Sequence, residues 1–362
     1  MTVLRTVATH YLPWMKLAAC LLAFTAWVAW WFVPRWLVPA WEGRPTTRHD
    51  LVAFLEVLPA RVDAADVVIV FVGDSAVGGW PDPRKTLPPK LEVELESRLP
   101  GRRVQLVDLT FIGLHVEDAL LLIAKAFSLD PDLVIYAMSP RVVPAAPPAQ
   151  YALAIRDLAL QPEIVGRVGL WQALRVVGAR GLARTLVYSY WPPARLRTEL
   201  ARALLAGPGA DLPATAHDLL AQLLPRPQPP PRAFLPGTEG RYVWSRAQHR
   251  LEPPTDSTRA LDALLRLCAR EGRCLLYHIP INPAEVGGFE PGLVDEFTAH
   301  VRARAAGAAV PFVDFRGAGD PRRFAMSRRS VPDAIHPTEE GHAAFAPLLA
   351  ERVVVRLREL AR

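Results

Sequence analysis

The chain has 362 residues, of which 51% are hydrophobic, enough for one large domain or two modest ones with a sizeable core. Its 42 basic and 36 acidic residues give a net charge of +6, mixed along the sequence without a long basic run or a nucleic-acid motif. This argues against a nucleic-acid function and leaves a mild bias towards anionic partners. The three cysteines lack a second Cys/His cluster at ligand spacing, which argues against a structural metal, and the 36 prolines fall between apolar runs, as in stiff connections.

The first element is an uncharged apolar segment, Leu17 to Pro34, bracketed by Lys16 and Arg35. A membrane-spanning helix needs roughly 17–25 such residues, and Trp14, Trp30, Trp31, Trp36 and Trp41 suit interface positions. Residues 1–40 are therefore expected to form a single-pass membrane anchor. A cleaved signal peptide ending near Val38-Pro39-Ala40 is the alternative. Charge leans slightly against export, because Arg35, Arg44 and Arg48 follow the segment while Arg5 and Lys16 precede it. Residues 41–65 read as a linker with a short helix around Leu51–Leu58.

Five runs have the continuous, β-branched character of strands buried on both faces: Val67–Val72, Val104–Leu109, Leu133–Met138, Leu275–Ile281 and Pro311–Phe315. Between them Leu91–Leu99, Val116–Phe127, Thr258–Arg270, Leu293–Ala305 and Glu340–Leu360 show apolar spacing of three and four, the helical period. Alternating strands and helices predict an α/β domain with a five-stranded parallel sheet, built from residues 66–141 and 257–362. The stretch 142–256 is expected to be a mostly helical insertion or cap. It has apolar positions in Ile155–Leu160, Leu170–Val177 and Leu219–Leu224, and an extended proline-rich connection at Pro225–Pro231. Cys268 and Cys274 fall at a helix end and the next strand, and are read either as a disulfide or as two buried thiols. Glu92, Glu94 and Glu96 read as an exposed helix face.

Parallel sheets carry their sites at the carboxyl ends of the strands. The first strand ends in Gly73-Asp74-Ser75, where a glycine allows a tight strand-to-helix turn and exposes a serine. Just before the last helix stands Pro332-Asp333-Ala334-Ile335-His336-Pro337, followed by Thr338 as a helix N-cap. A nucleophilic serine needs a base, and the base an orienting partner; an Asp three residues before a His supplies both from one loop.

Together these two features resemble the SGNH (GDSL-type) hydrolase family over about half of the chain. The resemblance implies a flavodoxin-like three-layer sandwich and a catalytic set of Ser75, Asp333 and His336. It also implies an oxyanion hole formed by the N–H groups of Ser75 and Gly113. Many members carry an asparagine after the third strand as a further oxyanion donor; here the sequence is Ala137-Met138-Ser139-Pro140-Arg141, which leaves that place to Ser139 or Arg141. Tyr277-His278-Ile279-Pro280-Ile281-Asn282-Pro283 is similar to membrane-anchored envelope-polymer O-acyltransferases, such as the alginate O-acetyltransferase and D-alanine transfer proteins. Asn282 and Arg141 are then candidate substrate contacts, and His278 a packed strand residue; His115 and His342 are structural or exposed. The implied activity is removal or transfer of an O-acyl group, acetyl first, on a cell-envelope glycan, without metal or organic cofactor. The place would be the inner membrane, with the domain periplasmic or extracellular. A lipid esterase or thioesterase with the same residues is the alternative, as is a non-catalytic scaffold beside a membrane acyltransferase partner. Arg316, Arg322, Arg323, Arg328 and Arg329 are read as a solvated loop, or as a collector of anionic polymer or lipid headgroups.

Overall fold

The computed structural model describes residues 16–25, 55, 58, 62, 65–78, 85–143, 155–156, 158–178, 244–246, 251, 255–283, 288–326 and 332–362. The chain divides into two compact units, Met1–Glu42 with Ala183–Gln228, and Gly43–Leu182 with Pro229–Arg362. In the first, residues 16–25 are helical, and 26–34 of the expected membrane segment lie outside the described residues. Among the described residues no helix is long and apolar enough to cross a membrane.

The second unit holds a parallel five-stranded sheet. Its strands are β1 (Val67–Gly73), β2 (Val104–Thr110), β3 (Leu133–Met138), β4 (Cys274–His278) and β5 (Phe312–Asp314), in the order β2-β1-β3-β4-β5. This is the flavodoxin-like order, with a topological switch point between β1 and β3 where a crevice opens at the carboxyl edge. The register pairs Val67 with Val104, Val72 with Tyr136 and Met138 with His278. The strand ends therefore bring Gly73, Met138 and His278 to one edge.

The continuous apolar runs form strands because both faces are covered. Ile69, Val70, Phe71 and Val72 are fully buried. Helix α1 (Leu87–Arg98) packs on the C-terminal helix α6 (Glu339–Leu360), and α2 (Val116–Ala126) packs on α4 (Asp256–Glu271), which also touches α5 (Leu293–Gly307). Leu87, Leu91 and Leu95 of α1 join Ile69, Phe71, Phe345, Leu349 and Val353 in one core cluster. α1 starts four residues before the expected Leu91, because Pro88 and Pro89 lie in a first turn whose N–H groups need no partner within the helix. Thr338 caps α6, accepting a hydrogen bond from Gly341 N.

Three expectations are corrected or resolved. Glu92 is not on a solvated face: its carboxylate accepts from Leu106 N at 2.8 Å, satisfying an N–H of the edge strand β2, and burial raises its pKa against that bond. The Asp333 segment is not a loop but a strand, β7 (Pro332–Pro337), antiparallel to β6 (Phe324–Met326). Its terminal prolines conceal it, since a residue without an N–H is tolerated only in such short edge pairings. The two cysteines are bridged: Cys268–Cys274, with Cα atoms 5.4 Å apart, spans the turn at Gly272, where the left-handed φ of 71° ends α4.

Of the insertion, Pro162–Val168 (α3) and residues 170–178 are helical; Leu219–Leu224 and Pro225–Pro231 lie outside the described residues. α3 packs on α2, and Arg156 reaches Asp118 of α2 at 3.1 Å.

Candidate active site

β1 must end in glycine. A Cβ at Gly73 would lie 2.5 Å from the Val77 side chain and 3.1 Å from Ala137 Cβ, closer than packing allows. The chain then turns sharply: Asp74 O accepts from Val77 N (3.2 Å) and Gly78 N (3.1 Å), while Asp74 Oδ1 accepts from Ala76 N at 2.9 Å. Asp74 thus holds the turn that presents Ser75, which is 7% exposed. The loop after β2 is tied to this turn, since Phe111 N donates to Gly73 O at 2.9 Å. Two residues further on, Gly113 takes a left-handed φ of 68°.

From the other end of the chain, β7 carries His336 to the serine. Ser75 Oγ lies 3.0 Å from His336 Nε2, and His336 Nδ1 lies 2.9 Å from Asp333 Oδ1. The same Oδ1 accepts from Ile335 N (2.9 Å) and His336 N (3.0 Å), so Asp333 orients the ring and shapes its own backbone. Burial pushes the Asp333 pKa up, but the hydrogen bond and charge of His336, with the two backbone N–H groups, outweigh it and hold the carboxyl below its ordinary value. An ionised Asp333 facing Nδ1 assigns the ring proton to that nitrogen, leaving Nε2 to accept from the serine hydroxyl.

The remaining candidates separate. Asn282 is not placed as a substrate contact: it is fully buried, its Nδ2 donates to Asp333 O at 3.0 Å, and its N–H donates to Ala334 O at 2.9 Å. Ser139 is not aimed at an oxyanion: it is 1% exposed, its hydroxyl donates to Asp74 Oδ2 at 3.4 Å and accepts from Arg141 N at 3.3 Å. Arg141 is half-buried, with its guanidinium 4.5 Å above the Trp244 ring. His278 is fully buried, with Nδ1 2.8 Å from Ile279 O, and His115 and His342 are also buried. The arginines before β7 are not an open cationic patch. Arg316 pairs with Asp314 and Asp295, and Arg322 and Arg323 pair with Asp320; Arg328 and Arg329 lie outside the described residues.

Two residues of this edge escape a sequence reading. Asp74 is visible in the motif, but its turn-forming bonds are not. Trp244 stands beyond the proline-rich stretch with no local signal, and only its contacts with Arg141 and Phe289 bring it here.

No family model matches the chain, and no curated protein is similar to it. Among solved structures, an alpha/beta hydrolase enzyme, LAE5, from the metagenome of Lake Arreo, Spain, is 16% identical. The match covers 82% of this chain and 97% of that one, with a TM-score of 0.40. A lipase/acylhydrolase from Enterococcus faecalis is 11% identical, covering 80% of this chain and 96% of that one, with a TM-score of 0.37. At TM-scores this low, the functional reading rests on the geometry of the site itself.

Proposed function

We propose that the chain is a serine-dependent ester hydrolase or O-acyltransferase of SGNH type, acting on O-acyl groups, acetyl first, of a cell-envelope glycan. The observation that carries this reading is the unbroken chain Ser75 Oγ–His336 Nε2–His336 Nδ1–Asp333 Oδ1, at 3.0 and 2.9 Å, on the carboxyl edge of a parallel sheet.

In this mechanism His336 takes the Ser75 proton as Oγ attacks the acyl carbonyl. The imidazolium that forms is stabilised by Asp333. The N–H groups of Ser75 and Gly113 receive the oxyanion, a role supported by the tie between the Gly113 loop and the Ser75 turn. His336 returns its proton to the leaving alcohol, and an acyl-serine remains. Water or a sugar hydroxyl then loses its proton to His336 and takes the acyl group, and His336 returns that proton to Ser75 Oγ as the acyl–oxygen bond breaks. Export is supported by the Cys268–Cys274 bridge, since disulfides persist in oxidising compartments, and anchoring by the uncharged run from Leu17 to Pro34.

The test is fluorophosphonate labelling of the protein. Wild type is expected to label at Ser75, while Ser75→Ala abolishes the reaction and His336→Ala slows it by at least about 10³-fold. Absence of labelling in folded wild type would overturn the proposal.

A further inference from the structure

Most described arginines near the site have carboxylate partners. Arg246 is held by Glu290 and Glu296, Arg316 by Asp314 and Asp295, and Arg322 and Arg323 by Asp320. Arg141 differs. Among the described residues no carboxylate pairs with it, and its Nε is buried without a hydrogen-bond partner. A half-buried cation with no counter-ion is held at a cost, which an anionic ligand would relieve.

Its place is specific. Arg141 N bonds Ser139 Oγ, and Ser139 bonds Asp74, the neighbour of Ser75, so its backbone stands at the β1/β3 switch point. Its guanidinium lies over Trp244, whose N–H donates to Gly288 O (2.9 Å) and whose carbonyl accepts from Glu290 N (2.7 Å). Gly288 in turn lies against β7: a Cβ there would be 3.4 Å from that of Ala334, between Asp333 and His336. The Arg141–Trp244 pair thus reaches from the serine side of the edge to the histidine side. A guanidinium lying over an indole keeps its terminal N–H groups for bonds to an oxyanion.

We propose that Arg141, its guanidinium over Trp244, is the anion-binding subsite of this edge. It would take a carboxylate or phosphate carried by the substrate close to the ester. This rests on the proposed acyl chemistry for its place in a reaction, but not for its binding. It gives the substrate class as an acidic rather than a neutral glycan, and moves anion recognition from the paired arginines before β7 to a residue just after β3, linked through Ser139 to Asp74.

The experiment is binding to full-length Ser75→Ala protein, which needs no turnover, by calorimetry with three probes: a galacturonate oligosaccharide, a glycerol phosphate oligomer and a neutral galactose oligosaccharide. At least one acidic probe is expected to bind roughly ten-fold more tightly than the neutral one, and which of the two does so identifies the anion. Arg141→Gln is expected to bring that ratio within about two-fold, Trp244→Leu to reduce it and Arg141→Lys to restore part of it. Equal binding of acidic and neutral probes, no binding of either acidic probe, or a ratio that Arg141→Gln leaves intact would overturn the proposal. Fluorophosphonate labelling of the Arg141 variants keeps the two readings apart. Labelling without acidic preference sinks the subsite alone, and preference without labelling of wild type sinks the hydrolase reading alone.

Discussion

The side-chain amide of Asn282 donates to the main-chain carbonyl of Asp333 across 3.0 Å, while its own N–H donates to Ala334 O at 2.9 Å. Two residues 51 apart in sequence thereby fix the strand that carries His336 against the end of β4. Asn282 therefore acts on the site through Asp333. Asn282→Ala leaves a carbonyl with one bond fewer and the strand looser. The expected outcome is a loss of about 1–3 kcal/mol of stability and a labelling rate down roughly ten-fold, read by denaturant unfolding and by fluorophosphonate kinetics.

Ser139 sits where an oxyanion donor would be expected, yet its hydroxyl bonds Asp74. Removing a true oxyanion donor costs ~10²–10³ in rate. Ser139→Ala should instead lower ester turnover by less than about ten-fold, through a slacker Asp74 turn. A loss of 10²-fold or more at unchanged stability would return Ser139 to the role of donor.

Asp333 is held below its ordinary pKa, so its carboxylate persists in acid beyond an unperturbed aspartate. The acid limb of activity should then carry no contribution from Asp333 until pH falls below the ordinary aspartate range. Its depressed folded pKa contributes stability that is present above the unfolded value of ~3.9 and lost as pH falls through the folded one. Asp333→Asn is expected to cost roughly 10⁴-fold in turnover, because the amide does not hold the productive tautomer, and to flatten stability below about pH 4. The pH–rate profile and acid unfolding of both proteins test this.

His278 is buried and neutral, its pKa lowered to about 4 by burial, opposed by its bond to Ile279 O and by Asp314, with Arg316 adding to the depression. Its stabilisation is complete above the unfolded value of ~6.5 and is lost as pH falls towards about 4. The expected loss over that window is roughly 3 kcal/mol. His278→Leu should shallow that slope in urea unfolding, even though it removes one hydrogen bond.

The Cys268–Cys274 bridge closes a short loop of sequence separation 6 at the amino end of β4, opposite the site. Loop-closure entropy assigns it about 2 kcal/mol. Reduction, or Cys268→Ala with Cys274→Ala, should lower Tm by a few degrees and leave labelling of Ser75 unchanged at low temperature.

Much of this protein is local in origin. Continuous β-branched runs become strands buried on both faces, because only covered parallel strands tolerate apolar residues at every position, and β1 to β4 lie within a few residues of where those runs fall. Ser75 just after β1, and Asp333 and His336 just before the last helix, stand in recognisable spacing and are legible as candidates in the sequence; the fold brings Ser75 and Asp333 each within 3.0 Å of His336. Which polar side chains bond one another is set by the way the chain folds back on itself. Glu92 on β2, Asn282 on Asp333, Ser139 on Asp74 and Arg141 over Trp244 join residues 14 to 103 apart. Periodicity reports which face of an element is apolar. It carries no information about which buried donor meets which acceptor, since that pairing depends on the sheet order and on where a distant segment is laid down.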